Sequence, residues 1–72
     1  MNRQTMYQRT IAKTLNVTIE RARLVEAYLR LQYGTLDALS TGDFKREYRH
    51  GIAGAIDTDM AGSVRLAESF GL

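Results

Sequence analysis

The longest regular pattern of apolar residues lies between Thr18 and Tyr33. These residues recur every three or four positions along two faces: Ala22, Val25, Leu29 and Tyr33 on one, and Leu24, Tyr28 and Leu31 on the other. Residues with this spacing stack above one another on an α-helix. A helix that is apolar on two faces needs neighbours on both of them. The pattern therefore predicts a central helix over residues 18–33, on which the other segments pack.

Three shorter segments have the same helical spacing, over residues 4–15, 42–56 and 58–70. Asn16 and Gly34 follow the first and central helices, and both residue types tolerate the left-handed backbone that ends helices. Residues whose side-chain oxygens can cap a helix stand where the later helices begin: Thr18, Ser40 or Thr41, and Thr58. These signals predict a chain of four helices.

The fold class follows from these elements. No run of alternating apolar and polar residues predicts a strand, so we expect an all-α fold. The 72 residues form one small domain, residues 1–72, built as a compact bundle of four helices with a short turn near residues 36–39. The predicted core consists of the inward positions of the helices: Ile11, Leu15, Ala22, Val25, Leu29, Phe44, Tyr48, Ile52, Ile56, Val64 and Ala67.

Gly51 and Gly54 stand inside the third predicted helix. Each costs about 1 kcal/mol relative to alanine in a helix interior. A close approach of another helix would explain both, because glycine lets two backbones come near each other.

The composition limits the location and the assembly of the chain. It has no cysteine, so neither a disulfide nor a thiolate metal site reinforces it. Small domains without such reinforcement often dimerise, and a homodimer is one form we expect. No transmembrane run and no signal peptide are visible, so we expect the whole chain to be a cytoplasmic protein without a membrane partner. Small size without processing signals is typical of mobile-element or bacteriophage proteins.

Few residues are suited to catalysis. His50 is the only histidine, and there is no cysteine to act as a nucleophile. Neither a glycine-rich phosphate loop nor the spacing of metal ligands is present. We therefore expect a protein that is not an enzyme and that has no catalytic residue, no cofactor and no metal.

A local pattern links the first two helices. The pattern begins with an apolar residue and a small one, Ile11 and Ala12. An apolar residue follows one turn later, then a turn residue and a further apolar residue: Leu15, Asn16 and Val17. Ala22 and Val25 then fill two inward positions of the next helix. Over residues 8–27 this arrangement resembles the helix-turn-helix motif of DNA-binding proteins. The bundle would then have a helix-turn-helix-like N-terminal half.

The resemblance implies that the helix capped by Thr18 enters the major groove of DNA. Its outward side chains would then lie at base edges: Thr18, Ile19, Glu20, Arg23 and Leu24. Polar residues around it would contact phosphates: Gln8, Arg9, Lys13 and Arg30. The expected function is that of a small DNA-binding protein, a transcriptional regulator that acts as a dimer. Helical hairpins that never contact DNA have the same spacing, so a plain core hairpin stays open as an alternative.

A second cationic feature lies on the third predicted helix. Lys45, Arg46, Arg49 and His50 form a basic strip, on a chain whose net charge is +2 and whose pI is about 9.3. Such a strip is either the solvent side of an amphipathic helix or a surface for phosphate or an acidic partner.

The alternative function is a protein-binding adaptor or inhibitor. It would use either the basic strip or the second apolar face of the central helix: Leu24, Tyr28 and Leu31. Exposure of that face would favour the adaptor, because contiguous exposed apolar residues mark protein interfaces. Its burial, with the cations of the first two helices on one open face, would favour DNA binding.

Overall fold

A computed structural model describes residues 5–72, and this part of the chain contains four helices and no strand. Helix α1 is Met6–Leu15, and the long helix α2 is Ile19–Tyr33. Helix α3 covers residues 41–58, and α4 is Met60–Ser69. The prediction of a compact all-α bundle of four helices is confirmed. The predicted start of the first helix, at residue 4, lies outside the described residues.

Side-chain caps fix where the helices begin. The Thr18 hydroxyl accepts a hydrogen bond from the Arg21 backbone N–H at 3.1 Å, as the sequence predicts. Ser40 and Asp43 form a reciprocal capping box at the start of α3, which settles the choice between Ser40 and Thr41. The prediction that Thr58 caps the last helix is wrong. Thr58 ends α3, and Asp59 caps α4 instead by accepting from the Gly62 N–H.

Helix α3 departs from regular α-helical geometry at its centre. It is α-helical over Thr41–Glu47, π-helical over Tyr48–Ile52 and α-helical again over Ala53–Thr58. The Ala53 N–H donates to the carbonyl of Tyr48, five residues back, which defines the π turn. The predicted uninterrupted α-helix over 42–56 is therefore wrong in its middle.

The two glycines of α3 do not mark a close helix contact. A methyl group added at Gly51 or Gly54 would meet no atom within 4 Å, so the explanation from close packing is wrong.

Replacing Gly54 by alanine should therefore stabilise the fold, by about 0.5–1 kcal/mol, because alanine loses less conformational entropy in a helix. For a domain of this size the melting temperature should rise by several degrees, about 4–8 °C for each kcal/mol. Thermal unfolding followed by circular dichroism measures the shift. Gly34→Ala is the matched control and should lower the melting temperature, because Gly34 has a φ of 80°. A lower melting temperature for Gly54→Ala would show that the helix requires glycine there.

Helix α2 lies at the centre of the bundle, as the apolar pattern predicts. Residues 22–27 are six consecutive buried positions, which is more than one full turn, so the helix is surrounded at that level. Helices α1 and α4 both pack on α2, and the two ends of α3 contact α1 and α4. Most of the predicted core is buried: Ile11, Ala22, Val25, Leu29, Phe44, Ile52, Ile56 and Ala67. The other predicted core residues are only partly buried: Leu15, Tyr48 and Val64.

The core also contains residues outside this set of inward helix positions. Leu36 is buried and anchors the connection between α2 and α3, where the Leu39 N–H donates to its carbonyl at 3.0 Å. Four polar side chains within residues 5–72 are buried as well: Gln8, Arg23, Glu26 and Ser63. The prediction that Gln8 contacts phosphate is therefore wrong. No helix within residues 5–72 is long and apolar enough to cross a membrane.

Candidate nucleic-acid interface

A three-residue connection joins α1 to α2. Asn16 adopts the left-handed conformation at φ 56° and ψ 51°, and the Val17 N–H donates to the Ala12 carbonyl at 3.0 Å. Ile11 is fully buried beside this connection, while Ala12 is partly buried. Helix pairs of this kind occur with and without DNA binding, so the helix-turn-helix function stays a prediction.

The first turn of α2 is the part of the predicted reading surface that solvent reaches. Thr18 and Glu20 are exposed, and Ile19 is partly exposed. The Glu20 carboxylate accepts hydrogen bonds from the Arg23 guanidinium, with a shortest distance of 2.7 Å between Oε1 and Nη2. This carboxylate is therefore already paired within α2.

Arg23 does not point outward, and the prediction that it does is wrong. Its exposed fraction is 8%, and its Nη1 donates to the carbonyl oxygen of Leu72 at 3.0 Å. Together with the Glu20 pair, this contact holds the guanidinium against the C-terminal end of the chain. Its long stem explains how a charged residue occupies an interior position while its head finds polar partners.

Helix α4 lies along the face of α2 that would read bases. Residues 23, 24, 27 and 28 stack on that face, because they are three and four residues apart. Arg23 contacts Leu72 beyond the end of α4, and the Tyr28 hydroxyl donates to Ser63 at 2.7 Å. The Ser63 hydroxyl donates its hydrogen to the Asp59 carbonyl at 2.8 Å. Tyr28 is therefore the donor in the hydrogen bond between the two hydroxyls. Leu24 and Ala27, between these contacts, are fully buried, and the predicted outward position of Leu24 is wrong.

Arg30, a predicted phosphate contact, is held in an ion pair. Its Nε and Nη2 lie 2.9 and 2.8 Å from Oε2 of Glu26, whose carboxylate has no exposed surface. The other oxygen of Glu26 accepts a hydrogen bond from the Thr5 hydroxyl at 2.9 Å. The Arg30 guanidinium also lies over the ring of Tyr7, at 5.8 Å from its centre. The positive charge of Arg30 therefore neutralises the buried Glu26 carboxylate.

Arg9 and Lys13 have the positions that the sequence predicts. Both are exposed, and both lie on the outer face of α1, one helical turn apart. Neither has an ion-pair partner among residues 5–72. They leave positive charge on the solvent side of the helix that precedes α2.

All four residues of the basic strip are exposed: Lys45, Arg46, Arg49 and His50. They do not share one surface. Arg46 pairs with Asp43 at 2.6 Å and lies 3.8 Å from Glu47, and the bond to Asp43 raises the pKa of Arg46 above its ordinary value. Lys45 and Arg49 line a cleft beside the end of α1. His50 instead lines a groove between α2 and α3.

Arg21 is a structural residue that the sequence analysis does not single out. Its Nη1 lies 3.0 Å from Oδ1 of Asp57, and its Nε donates to the Tyr48 hydroxyl at 2.6 Å. These two partners raise the pKa of Arg21, Asp57 having the larger effect. The guanidinium also lies over the Tyr48 ring, 5.5 Å from its centre. Both partners are distant in sequence, so no local pattern reveals this cluster.

The described residues include no group of three or more side chains of the metal-binding types that could hold an ion. No protein-family model, no curated protein and no solved structure matches this chain. The interpretation of the surface therefore depends on the geometry of the chain itself.

Proposed function

We propose that this chain is a non-enzymatic DNA-binding protein that holds the duplex mainly through phosphate contacts. The phosphate contacts come from the outer face of α1, where Arg9 and Lys13 lie, and the exposed first turn of α2 lies toward the bases. The observation that carries the proposal is that these two cations are exposed together and have no ion-pair partner within residues 5–72. Unpaired cations on one face are the electrostatic footprint of a nucleic-acid surface.

Four arginines of the chain are placed differently. Each of four arginines has a carboxylate within ion-pair distance: Arg21, Arg23, Arg30 and Arg46. Their charges are locally compensated, so they add little to the field outside the molecule. Among residues 5–72, most of the cations without an ion-pair partner lie on α1 or at the cleft beside it, and one more, Arg65, lies on α4. This distribution supports a surface for a polyanion.

The mode of binding follows from the position of α4. Base edges are read by side chains that reach into the groove, whereas phosphate contacts fix the protein on the duplex. With the α2 face from Arg23 to Ala27 covered, Thr18 and Ile19 are the residues of the predicted reading surface that are available for bases, and the exposed Glu20 carboxylate is paired with Arg23. We therefore propose binding with modest sequence preference and strong dependence on salt.

Fluorescence anisotropy with a labelled random duplex at several salt concentrations tests the proposal. We expect a Kd of about 10⁻⁴–10⁻⁶ M at physiological salt, with affinity falling as salt rises. The double variant Arg9→Ala/Lys13→Ala should weaken binding and reduce the slope of log affinity against log salt by about 2. The reason is that binding releases about one counterion fewer from the DNA for each phosphate contact that is lost.

Arg65→Ala is the matched control, since Arg65 is an exposed cation on α4, away from α1. It should leave the slope unchanged. An equal loss of slope per removed charge in both variants would mean that only net charge matters and that α1 is not the contact surface. No binding at low salt would exclude DNA as the partner of this chain.

The second candidate is a protein-binding adaptor, and one observation favours it. Leu31 has 62% of its surface exposed and lines the groove between α2 and α3, together with Tyr28, Ile52 and Ala55. The rest of the predicted apolar face is covered, because Leu24 is buried and Tyr28 is partly buried. A folded chain that fails to bind duplex at low salt would favour this candidate.

A further inference from the structure

We propose that the cleft between the end of α1 and the π-helical turn of α3 is a further binding site, or seat, for a phosphate of the DNA backbone. Thr14 and Leu15 of α1 form one wall, and α3 supplies Lys45, Tyr48 and Arg49. The inference rests on the proposed DNA binding and adds a defined site to it. The seat extends the contact surface from the outer face of α1 onto α3.

The charges of the cleft are available to a ligand. Lys45 and Arg49 are both exposed, and neither has an ion-pair partner among residues 5–72. The two residues lie one helical turn apart on the side of α3 that lines the cleft. A planar guanidinium that can donate two hydrogen bonds, beside a compact ammonium, suits the oxygens of a phosphodiester.

Arg21 holds the α3 wall of the cleft in position through Tyr48. Tyr48 lines the cleft, while its hydroxyl accepts a hydrogen bond from Arg21 Nε at 2.6 Å and its ring lies under the Arg21 guanidinium. Arg21 is in turn held by Asp57 at 3.0 Å. The tyrosine is thus placed before any ligand arrives, so less ordering is required on binding. The Thr14 side chain adds a hydroxyl donor on the opposite wall.

The π-helical turn of α3 lies at this cleft. It begins at Tyr48 and includes Arg49, and π turns inside α-helices are frequent at functional sites. Arg46 is engaged by Asp43 and Glu47, and His50 lines the other groove. Of the four residues of the basic strip, the seat therefore uses Lys45 and Arg49.

The position of the cleft agrees with the proposed surface on α1. Its α1 wall consists of Thr14 and Leu15, the last residues of that helix, and Lys13 immediately precedes them. Arg9 and Lys13 are separated by about 6 Å along the axis of α1. A phosphate backbone that follows the outer face of α1 would reach the cleft at the end of the helix. One strand could then contact both parts of the surface.

The test uses the full chain and the same labelled random duplex. The double variant Lys45→Ala/Arg49→Ala should reduce the salt slope by about 2, because two phosphate contacts are lost, and should weaken binding roughly tenfold at low salt. The charge-preserving variant Lys45→Arg/Arg49→Lys should retain most of the slope. Arg46→Ala is the matched control on the same helix and should change the slope by less than half as much.

A two-dimensional ¹H–¹⁵N NMR titration with unlabelled duplex locates the contact. The amide signals of Thr14 and Arg49 should shift in the wild-type chain at duplex concentrations near the Kd. Inorganic phosphate at the same concentration should leave them in place, because a single free ion lacks the neighbouring contacts on α1. Equal shifts with inorganic phosphate would mean that the cleft is a general anion site and would overturn the assignment to a DNA backbone.

The outcomes separate the two proposals. If the wild-type chain binds duplex and the Lys45→Ala/Arg49→Ala variant keeps the full salt slope, the seat in the cleft is wrong and DNA binding through α1 stands. If the wild-type chain does not bind duplex at low salt, both proposals are wrong. If the alanine variant proves unfolded, Lys45→Gln/Arg49→Gln replaces it with the same expected slope. Tighter binding of a poly-glutamate peptide than of duplex would assign the cleft to an acidic protein.

Discussion

Replacing Arg30 by methionine should lower the free energy of unfolding by about 3 kcal/mol, the lower end of the range for breaking a buried ion pair. The Glu26 carboxylate is 0% exposed and depends on Arg30 and Thr5 for its hydrogen bonds. Without Arg30 a negative charge stays inside the bundle with one hydroxyl partner. The side chain of Arg30 is itself 28% exposed, and the expected loss of stability is therefore at the lower end of that range. Unfolding in urea, followed by circular dichroism, measures it.

The double variant Glu26→Leu/Arg30→Met is the control for this prediction. It removes both charges and should recover much of the lost stability, because a buried ion pair is often no more stabilising than apolar residues of similar volume. A loss below about 1 kcal/mol for Arg30→Met would show that Glu26 does not need this partner. The same experiment concerns function. If Arg30 were a phosphate contact, its replacement would weaken DNA binding in a folded protein, whereas the ion pair predicts that the fold itself is weakened.

The helix ends of this protein could be predicted because their causes are local. The left-handed Asn16, the cap at Thr18 and the stop at Gly34 each involve residues within one turn of the helix they bound. The apolar periodicity is local too, and it places α2 in the centre correctly. Asp59 shows the limit of this approach. It adjoins Thr58, and either residue type can cap a helix, so sequence alone does not choose between them.

The buried polar residues could not be predicted from the sequence. A charged residue on a helix is ordinarily assigned to solvent, because isolated charges are costly to bury. Arg23 is buried because Glu20 and the Leu72 carbonyl receive its guanidinium, and Leu72 lies at the other end of the chain. Arg21 likewise depends on Asp57 and Tyr48, and neither contact can be inferred from spacing.

The candidate site was predicted in part. The exposure of Arg9 and Lys13 follows from helical periodicity alone, since both lie opposite the buried Ile11. The π turn could not be seen, because the spacing of apolar residues in α3 is compatible with an ordinary α-helix. His50 lines a different groove from the cleft of Lys45 and Arg49. Four basic residues that form one strip in the sequence therefore divide into separate surfaces in the fold.

Leu24→Ala should lower the free energy of unfolding by about 3 kcal/mol, within the range for truncating a buried leucine. Leu24 is 1% exposed and lies between the contacts that join α2 to α4. Removing its methyl groups loses buried apolar surface and leaves a cavity. Leu31→Ala is the matched control, because the same substitution is made on the same helix at a residue that is 62% exposed. It should change stability by no more than about 0.5 kcal/mol.

The comparison of these two leucines decides how α2 meets DNA. If α4 stays on α2, Leu24→Ala lowers the denaturation midpoint in urea, and the folded variant binds random duplex with an unchanged salt slope, since no phosphate contact is lost. If α2 instead presents this face to the groove, Leu24 is a solvent-facing residue and its truncation leaves stability nearly unchanged. Leu24→Met, which keeps the volume, should cost less than about 1.5 kcal/mol and so attributes the larger loss to the cavity. A stable Leu24→Ala variant would therefore reject the covered reading face, and with it the proposal that phosphate contacts dominate.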